Sequence, residues 1–211
     1  MHFMPTPRSV AKIDKFSQLQ ATGNKGFELA MHIWDYAPDA LEVSVSDLII
    51  ATADYSDQLI DDNVRNVLQD LRKHLNMDVI FFSEIRDGKR MFKHVDTKPG
   101  CDLIATGGGS GLEESFCQCV LDGRLPRLVH DAAQFKKSAG LPDTPFPVGA
   151  HLSTPIVLAD GSVYGTLCCF SQAADPTLTE KDLHKLECVA RVAAKRINLR
   201  LATAREQEAA Q

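Results

Sequence analysis

Residues 149–171 read GAHLSTPIVLADGSVYGTLCCFS. Two runs rich in β-formers, 149–158 and 162–171, flank the turn dipeptide Asp160-Gly161, and this pattern predicts an antiparallel hairpin. Successive side chains in a strand point to opposite faces. His151, Ser153 and Pro155 therefore share one face, and Leu152, Thr154 and Ile156 share the other. The second set carries the larger apolar groups, which assigns it to the core. His151 and Ser153 then face a pocket or solvent. Cys168 and Cys169 are adjacent, so they too face opposite sides. Gly165, inside the second run, predicts a close backbone approach or a bulge.

Working back from the hairpin, residues 142–147 form a Pro-rich bend and 132–141 a helical turn. Residues 125–131 read as a short strand and 112–121 as a short helix stopped by Asp122-Gly123. Residues 96–111 hold Pro99 and five glycines and read as a loop. No Lys-Ser/Thr follows those glycines, which excludes a phosphate-binding loop. A second hairpin is predicted from residues 77–85 and 90–95 around Asp87-Gly88. Ile60, Val64, Val67, Leu71 and Leu75 recur at helical spacing and mark an amphipathic helix. Ser46 is a candidate cap for the helical region that begins there.

Forward of the hairpin, Thr179-Glu180-Lys181-Asp182 resembles a capping box and opens a long helix to about residue 206. Hairpin links and helices gathered on one face make an α+β layer architecture. The expected boundaries are a partly helical extension at 1–45, with short helices at 9–20 and 27–34, one domain at 46–204, and a fraying tail at 205–211.

The composition limits the function. At 44% apolar residues the chain can bury a core, and its net charge of −5 offers no basic footprint for nucleic acid. The acidic balance also disfavours anionic membrane surfaces. No apolar run reaches the roughly 18 residues needed to span a bilayer. Residues 1–8 lack the apolar core of a secretory signal, so a cytoplasmic, bacterial-type protein is expected. The six cysteines include no C-x-x-C pair, which argues against zinc and thioredoxin-like sites. They read as small buried hydrophobes, with a redox or ligand-contact role open for one of them.

Several segments together resemble a known family. Glu114-Ser115-Phe116-Cys117-Gln118, with Asp122-Gly123-Arg124-Leu125-Pro126 behind it, resembles the middle helix and following strand of GAF domains. Gly149-Ala150-His151-Leu152-Ser153-Thr154-Pro155-Ile156 resembles their pocket-closing strand. The run from Asp160 through Gly165-Thr166-Leu167-Cys168-Cys169 to Ser171 resembles their small-residue hairpin, and Thr179-Glu180-Lys181-Asp182-Leu183 the start of their final helix. The likeness spans roughly residues 56–200. Its flavour is that of modules found alone or attached to bacterial cyclic-di-GMP phosphodiesterases.

The resemblance implies a GAF-like, PAS-related central antiparallel sheet. N- and C-terminal helices would cover one face and a ligand pocket would lie on the other. It implies a non-catalytic sensor of a small molecule, signalling through its terminal helices, as a homodimer, to a downstream enzyme. The candidate ligand contacts are Ser115, Phe116, Cys117, Asp131, His151, Ser153 and Cys169. No metal site is expected, because no second histidine or carboxylate accompanies His151 at ligand spacing. Arg124 and Arg127 either grip an anion or are solvated. Glu113 and Glu114 read as first-turn helix carboxylates.

The residues also bear on two other activities known among GAF domains. Free methionine-R-sulfoxide reductases carry a catalytic cysteine in the loop before the pocket-closing strand, and residues 141–148 contain none. Cys117 could substitute only with an activating base or a lowered pKa, and sequence shows neither. Bilin carriers attach pigment to a cysteine commonly followed by histidine, and no Cys-His dipeptide is present. A non-covalent haem or bilin on His151 stays open. The ligand and any cofactor are not written in the sequence.

Overall fold

The computed structural model describes residues 57–210, with side chains from Val64 onward. The expectations for residues 1–45 and for a cap at Ser46 lie outside the described residues. In chain order, helix α1 (Asp57–His74) precedes strands β1 (Val79–Arg86), β2 (Lys89–Thr97) and β3 (Gly109–Gly111). Helix α2 (Phe116–Leu121), strand β4 (Leu128–Val129) and a single 3-10 turn (Ala132–Phe135) follow. Strands β5 (His151–Val157) and β6 (Val163–Phe170) and the long helix α3 (Glu180–Ala209) complete the chain.

The strands form one antiparallel sheet in the order β3-β2-β1-β6-β5-β4. Two hairpins build it, β1–β2 and β5–β6, joined where β1 pairs with β6. The first turn needs left-handed backbone at both Asp87 (φ 52°) and Gly88 (φ 70°), which is why the Asp-Gly dipeptide works there. β3 lies in the segment read from its glycines as plain loop. Three residues pair with the edge of β2, and side-chain pattern carries no signal for so short a strand.

The two faces of the sheet are packed differently. On one, Ile80, Leu152, Ile156, Leu167 and Cys169 meet Val67, Leu68, Leu71 and Leu75 of α1 and Leu183, Leu186, Val189, Ala190 and Ala194 of α3. This is the main core. On the other, Val79, Phe81, Phe92, Cys168 and Phe170 pack against Cys117 of α2. The helix-facing and pocket-facing sets read from alternation in 151–156 are the ones found, and Cys168 and Cys169 do face opposite sides, with Cys169, expected at the ligand, on the helix side. α3 begins as its capping residues require: Asp182 Oδ2 accepts from the Thr179 backbone N–H (2.9 Å) and hydroxyl (2.8 Å). It continues as helix to Ala209, beyond the expected fraying point, with its last ten residues exposed.

Gly165 shows what the sheet requires of its centre. A Cβ there would sit 1.8 Å from the carbonyl oxygen of Ser83 on β1. The two strands could not stay paired around it. Replacing Gly165 with Ala is expected to cost about 1–3 kcal/mol or more in denaturant unfolding, the range for overpacking. Gly111→Ala, whose added carbon meets nothing closer than 3.7 Å, is expected to stay within about 0.5 kcal/mol of the parent. Equal stabilities for the two variants would refute the close approach of β1 and β6.

Candidate functional site

The site is built on the sheet face that looks away from α1 and α3. Register aligns Phe81, Cys168 and Ser153 in one row across β1, β6 and β5. Val79, Phe170 and His151 form the row on one side, and Ser83, Thr166 and Pro155 the row on the other. A register shift at Phe82/Ser83 places Phe92 opposite Ser83 and Arg90 opposite Ile85. A bulge of this kind switches which residues of a strand face inward. Without it Met91 and Lys93 would face the pocket; with it Phe92 and Arg90 do.

The short helix α2 lies over this face. Ser115 caps it: the Ser115 hydroxyl oxygen accepts from the Gln118 backbone N–H at 3.2 Å and its O–H donates to the Leu112 carbonyl at 2.6 Å. The cap fixes the helix so that Cys117, fully buried, points down onto β6. There its Sγ lies 3.0 Å from Cys168 Sγ. Arg90 donates from Nη1 to Cys117 Sγ (3.1 Å) and from Nη2 to the Ser110 hydroxyl on β3 (2.9 Å). Its guanidinium also lies over the rings of Phe92 and Phe81, 4.9 and 5.5 Å from their centroids. Ser153 Oγ contacts Cys168 Sγ at 2.9 Å, and the Cys168 thiol reaches Thr166 Oγ1 at 3.3 Å.

The two thiols are electrically unlike. Cys117 is held well below the ordinary thiol range, first because Cys168 donates to its sulfur, with His151 and the Arg90 charge also favouring the anion against the opposing effect of burial. Cys168 is pushed well up, by burial first and then by its neighbour's charge. Of the two, Cys117 is therefore the thiol that ionises first.

Beside this cluster opens a cavity of about 410 Å³, counting its mouth. Phe81, Phe92, Phe146 and Phe170 give it aromatic walls, and Arg90, Glu114, Ser115, Thr144 and His151 give it polar groups. Phe146 and Phe170 stack at 5.5 Å between centroids. Two buried nitrogens here have no hydrogen-bond partner, His151 Nδ1 and Arg90 Nε. Buried polar atoms are paired in most folded proteins, so unpaired ones mark a place where something else can bind. A larger hollow of about 710 Å³ lies on the opposite side, between α1, the sheet and α3. The thiol cluster is not there.

Of the residues singled out in the sequence, Ser115, Phe116 and His151 line the cavity, and Cys117 and Ser153 lie in the cluster beneath it. Asp131 is elsewhere, capping the 3-10 turn by accepting from the Ala133 N–H at 3.0 Å. Cys169 is in the helix-side core, on the far face of β6, because strand alternation sends it opposite to Cys168. Arg124 and Arg127 are taken up structurally, Arg124 with Asp122 (2.9 Å) and Arg127 with Glu187 of α3 (3.0 Å). The sequence reading missed Arg90 and Cys168 as site residues. Alternation separated Cys168 from Cys169 without saying which of them faces the pocket; Arg90 depends on a bulge that leaves no mark in the residue pattern. No group of three or more potential metal ligands occurs among the described residues.

The depressed Cys117 pKa has a direct readout. Thiolate absorbance in the far ultraviolet is expected to appear at a pH below that of an ordinary thiol, to fall as the solution is acidified through the lowered pKa, and to be lost from that range in Cys117→Ser. Absorbance that rises only near the ordinary thiol value of about 8.5 would contradict the assignment.

Comparison with known proteins agrees with this architecture. A family model for the GAF domain matches residues 60–197. The GAF domain of an Acinetobacter phosphoenolpyruvate-protein phosphotransferase superposes with a TM-score of 0.60 at 12% identity, covering 79% of this chain and 97% of that one. The phycocyanobilin-bound GAF domain of a cyanobacterial phytochrome superposes at 0.58 and 12% identity, covering 77% and 96%. A putative GAF sensor protein from Burkholderia vietnamiensis gives 0.55 and 18%, covering 74% and 92%. No curated protein matches the chain. Identities this low speak for the fold alone, but the family match covers most of the chain, and on it the chain belongs to the GAF domain family.

Proposed function

We propose that this chain is a small-molecule sensor whose ligand occupies the cavity under α2, the reading carried by the two unpaired buried nitrogens, His151 Nδ1 and Arg90 Nε, at its polar end. The fitting ligand has a flat or apolar body for the phenylalanine walls and an anionic or hydrogen-bond-accepting group for His151 and Arg90. Leaving each such nitrogen unpaired costs about 1–3 kcal/mol, which a ligand group would recover. That a phytochrome GAF domain holds phycocyanobilin supports the idea that this fold accommodates organic ligands.

The proposed route of output is β5 to α3. β5 presents His151 to the cavity and Leu152 and Ile156 to the helix-side core. Arg127, just before β4, is tied to Glu187 of α3, and His130 donates from Nε2 to the Leu178 carbonyl at 2.9 Å. A ligand that shifts His151 acts on strands already anchored to α3. Leu199 and Leu201, both about two-fifths exposed near the end of that helix, support pairing with a second copy. A downstream signalling partner would read the change there.

Protein purified without denaturation, then denatured, is expected to release a discrete small molecule identifiable by mass spectrometry. His151→Ala is expected to weaken binding of that compound roughly 10–100-fold, the loss of about 1.5–3 kcal/mol for a hydrogen bond to a charged group. An unchanged affinity would remove His151 from the site. In sedimentation velocity the same sample is expected to run as a dimer; a monomer at every concentration tested would remove that part of the reading.

A further inference from the structure

Ligand sensing does not account for the chemistry of the cavity floor. Two buried thiols, from elements 51 residues apart in the chain, hold their sulfurs 3.0 Å from each other. A hydrophobic filling role would be met by alanine or valine and would need no charged partner. Instead the Arg90 guanidinium donates directly to Cys117 Sγ, Ser153 contacts Cys168 Sγ, and Arg90 is itself braced by Ser110. Charged and hydroxyl groups thus fix the two sulfurs in register. Arg90, Ser115, Phe116 and His151, which surround Cys117, also line the cavity, so the cavity is the approach for a molecule not much larger than water.

We propose that Cys117 and Cys168 form a dithiol redox site that reduces small hydroperoxides, with Cys117 as the attacking sulfur and Cys168 as the resolving one. The Cys117 thiolate attacks the terminal oxygen of the hydroperoxide. The O–O bond breaks, the departing alkoxide or hydroxide takes a proton and leaves as an alcohol or water, and Cys117 becomes a sulfenic acid. Arg90 stands where it can stabilise the negative charge at the start of that step. The Cys168 sulfur then attacks Cys117 Sγ; its thiol proton leaves with the sulfenic hydroxyl as water, and a Cys117–Cys168 disulfide forms. In sum, one hydroperoxide and two thiols give one alcohol, one water and one disulfide. An external dithiol restores the pair by exchange.

The two residues come from different layers, Cys117 from α2 and Cys168 from β6. The disulfide would staple the helix over the cavity to the centre of the sheet. This reading is independent of whether the cavity also takes an organic ligand.

The test uses the full chain, reduced and freed of reductant, then exposed to hydrogen peroxide in increments. Free thiols are blocked by alkylation and the digest is examined by mass spectrometry without reduction. The expected product is a peptide linking Cys117 to Cys168, formed before the exposed Cys188 of the same molecule is oxidised, and lost on adding dithiothreitol. Cys168→Ser is expected to lose the crosslink completely and to leave Cys117 reactive toward dimedone, the reagent for sulfenic acids. The comparison with Cys188 needs no substitution, so it holds even if a variant fails to fold. Oxidation of Cys188 while Cys117 and Cys168 remain free thiols would overturn the proposal. So would a disulfide joining either of them to another cysteine.

Discussion

Strand β6 is covered on both faces, and this constraint governs the rest of the molecule. From Gly165 to Phe170 every residue is buried. Leu167 and Cys169 must fit the core made with α1 and α3, while Thr166, Cys168 and Phe170 must fit the opposite face. β6 also pairs on both edges, with β1 and β5. Small residues let the neighbours come close: Gly165 admits the Ser83 carbonyl, and Cys168 leaves room for a second sulfur above it. A larger side chain at Cys168 would lift α2 off the sheet and open the cavity to solvent.

On that base the site is assembled from parts with separate local causes. The β1–β2 bulge turns Arg90 inward, and the Ser115 cap sets the direction of α2. Pairing of His151 with Phe170 places the imidazole at the cavity edge, tilted against Phe116 at 5.6 Å between ring centroids. None of these alone makes a site. Together they bring a cation, two cysteine sulfurs and an imidazole into one low-dielectric space, where charge interactions are stronger than in water. That environment separates the titration of two chemically identical thiols.

The fold was largely legible because its signals are local. Asp87-Gly88 and Asp160-Gly161 mark two hairpins, the Thr179–Asp182 pattern marks the start of α3, and alternation assigns the faces of β5. The site was legible only in part, for a physical reason. His151, Ser153 and Cys117 could be placed by face or by cap. Asp131 could not: its role is local, accepting from a backbone N–H two residues on, and sequence does not distinguish that from a pocket-facing carboxylate. Cys169 was taken with the site although alternation sends it away from Cys168. The activating neighbours of Cys117 were illegible, since Arg90 arrives from 27 residues away and only after the bulge shifts its strand.

On the proposed reading, the space between α2 and the sheet, and not the larger hollow between α1 and α3, is the functional cavity. The most direct measurement is a crystal structure of the full chain in its reduced form as purified. The expected density is a bound molecule among Phe92, Phe146 and Phe170, with a polar group within hydrogen-bonding distance of His151 Nδ1 and Arg90 Nε. The Cys117 and Cys168 sulfurs are expected in contact below it. A cavity closed by its own side chains, with the bound molecule lying instead between α1 and α3, would contradict that reading.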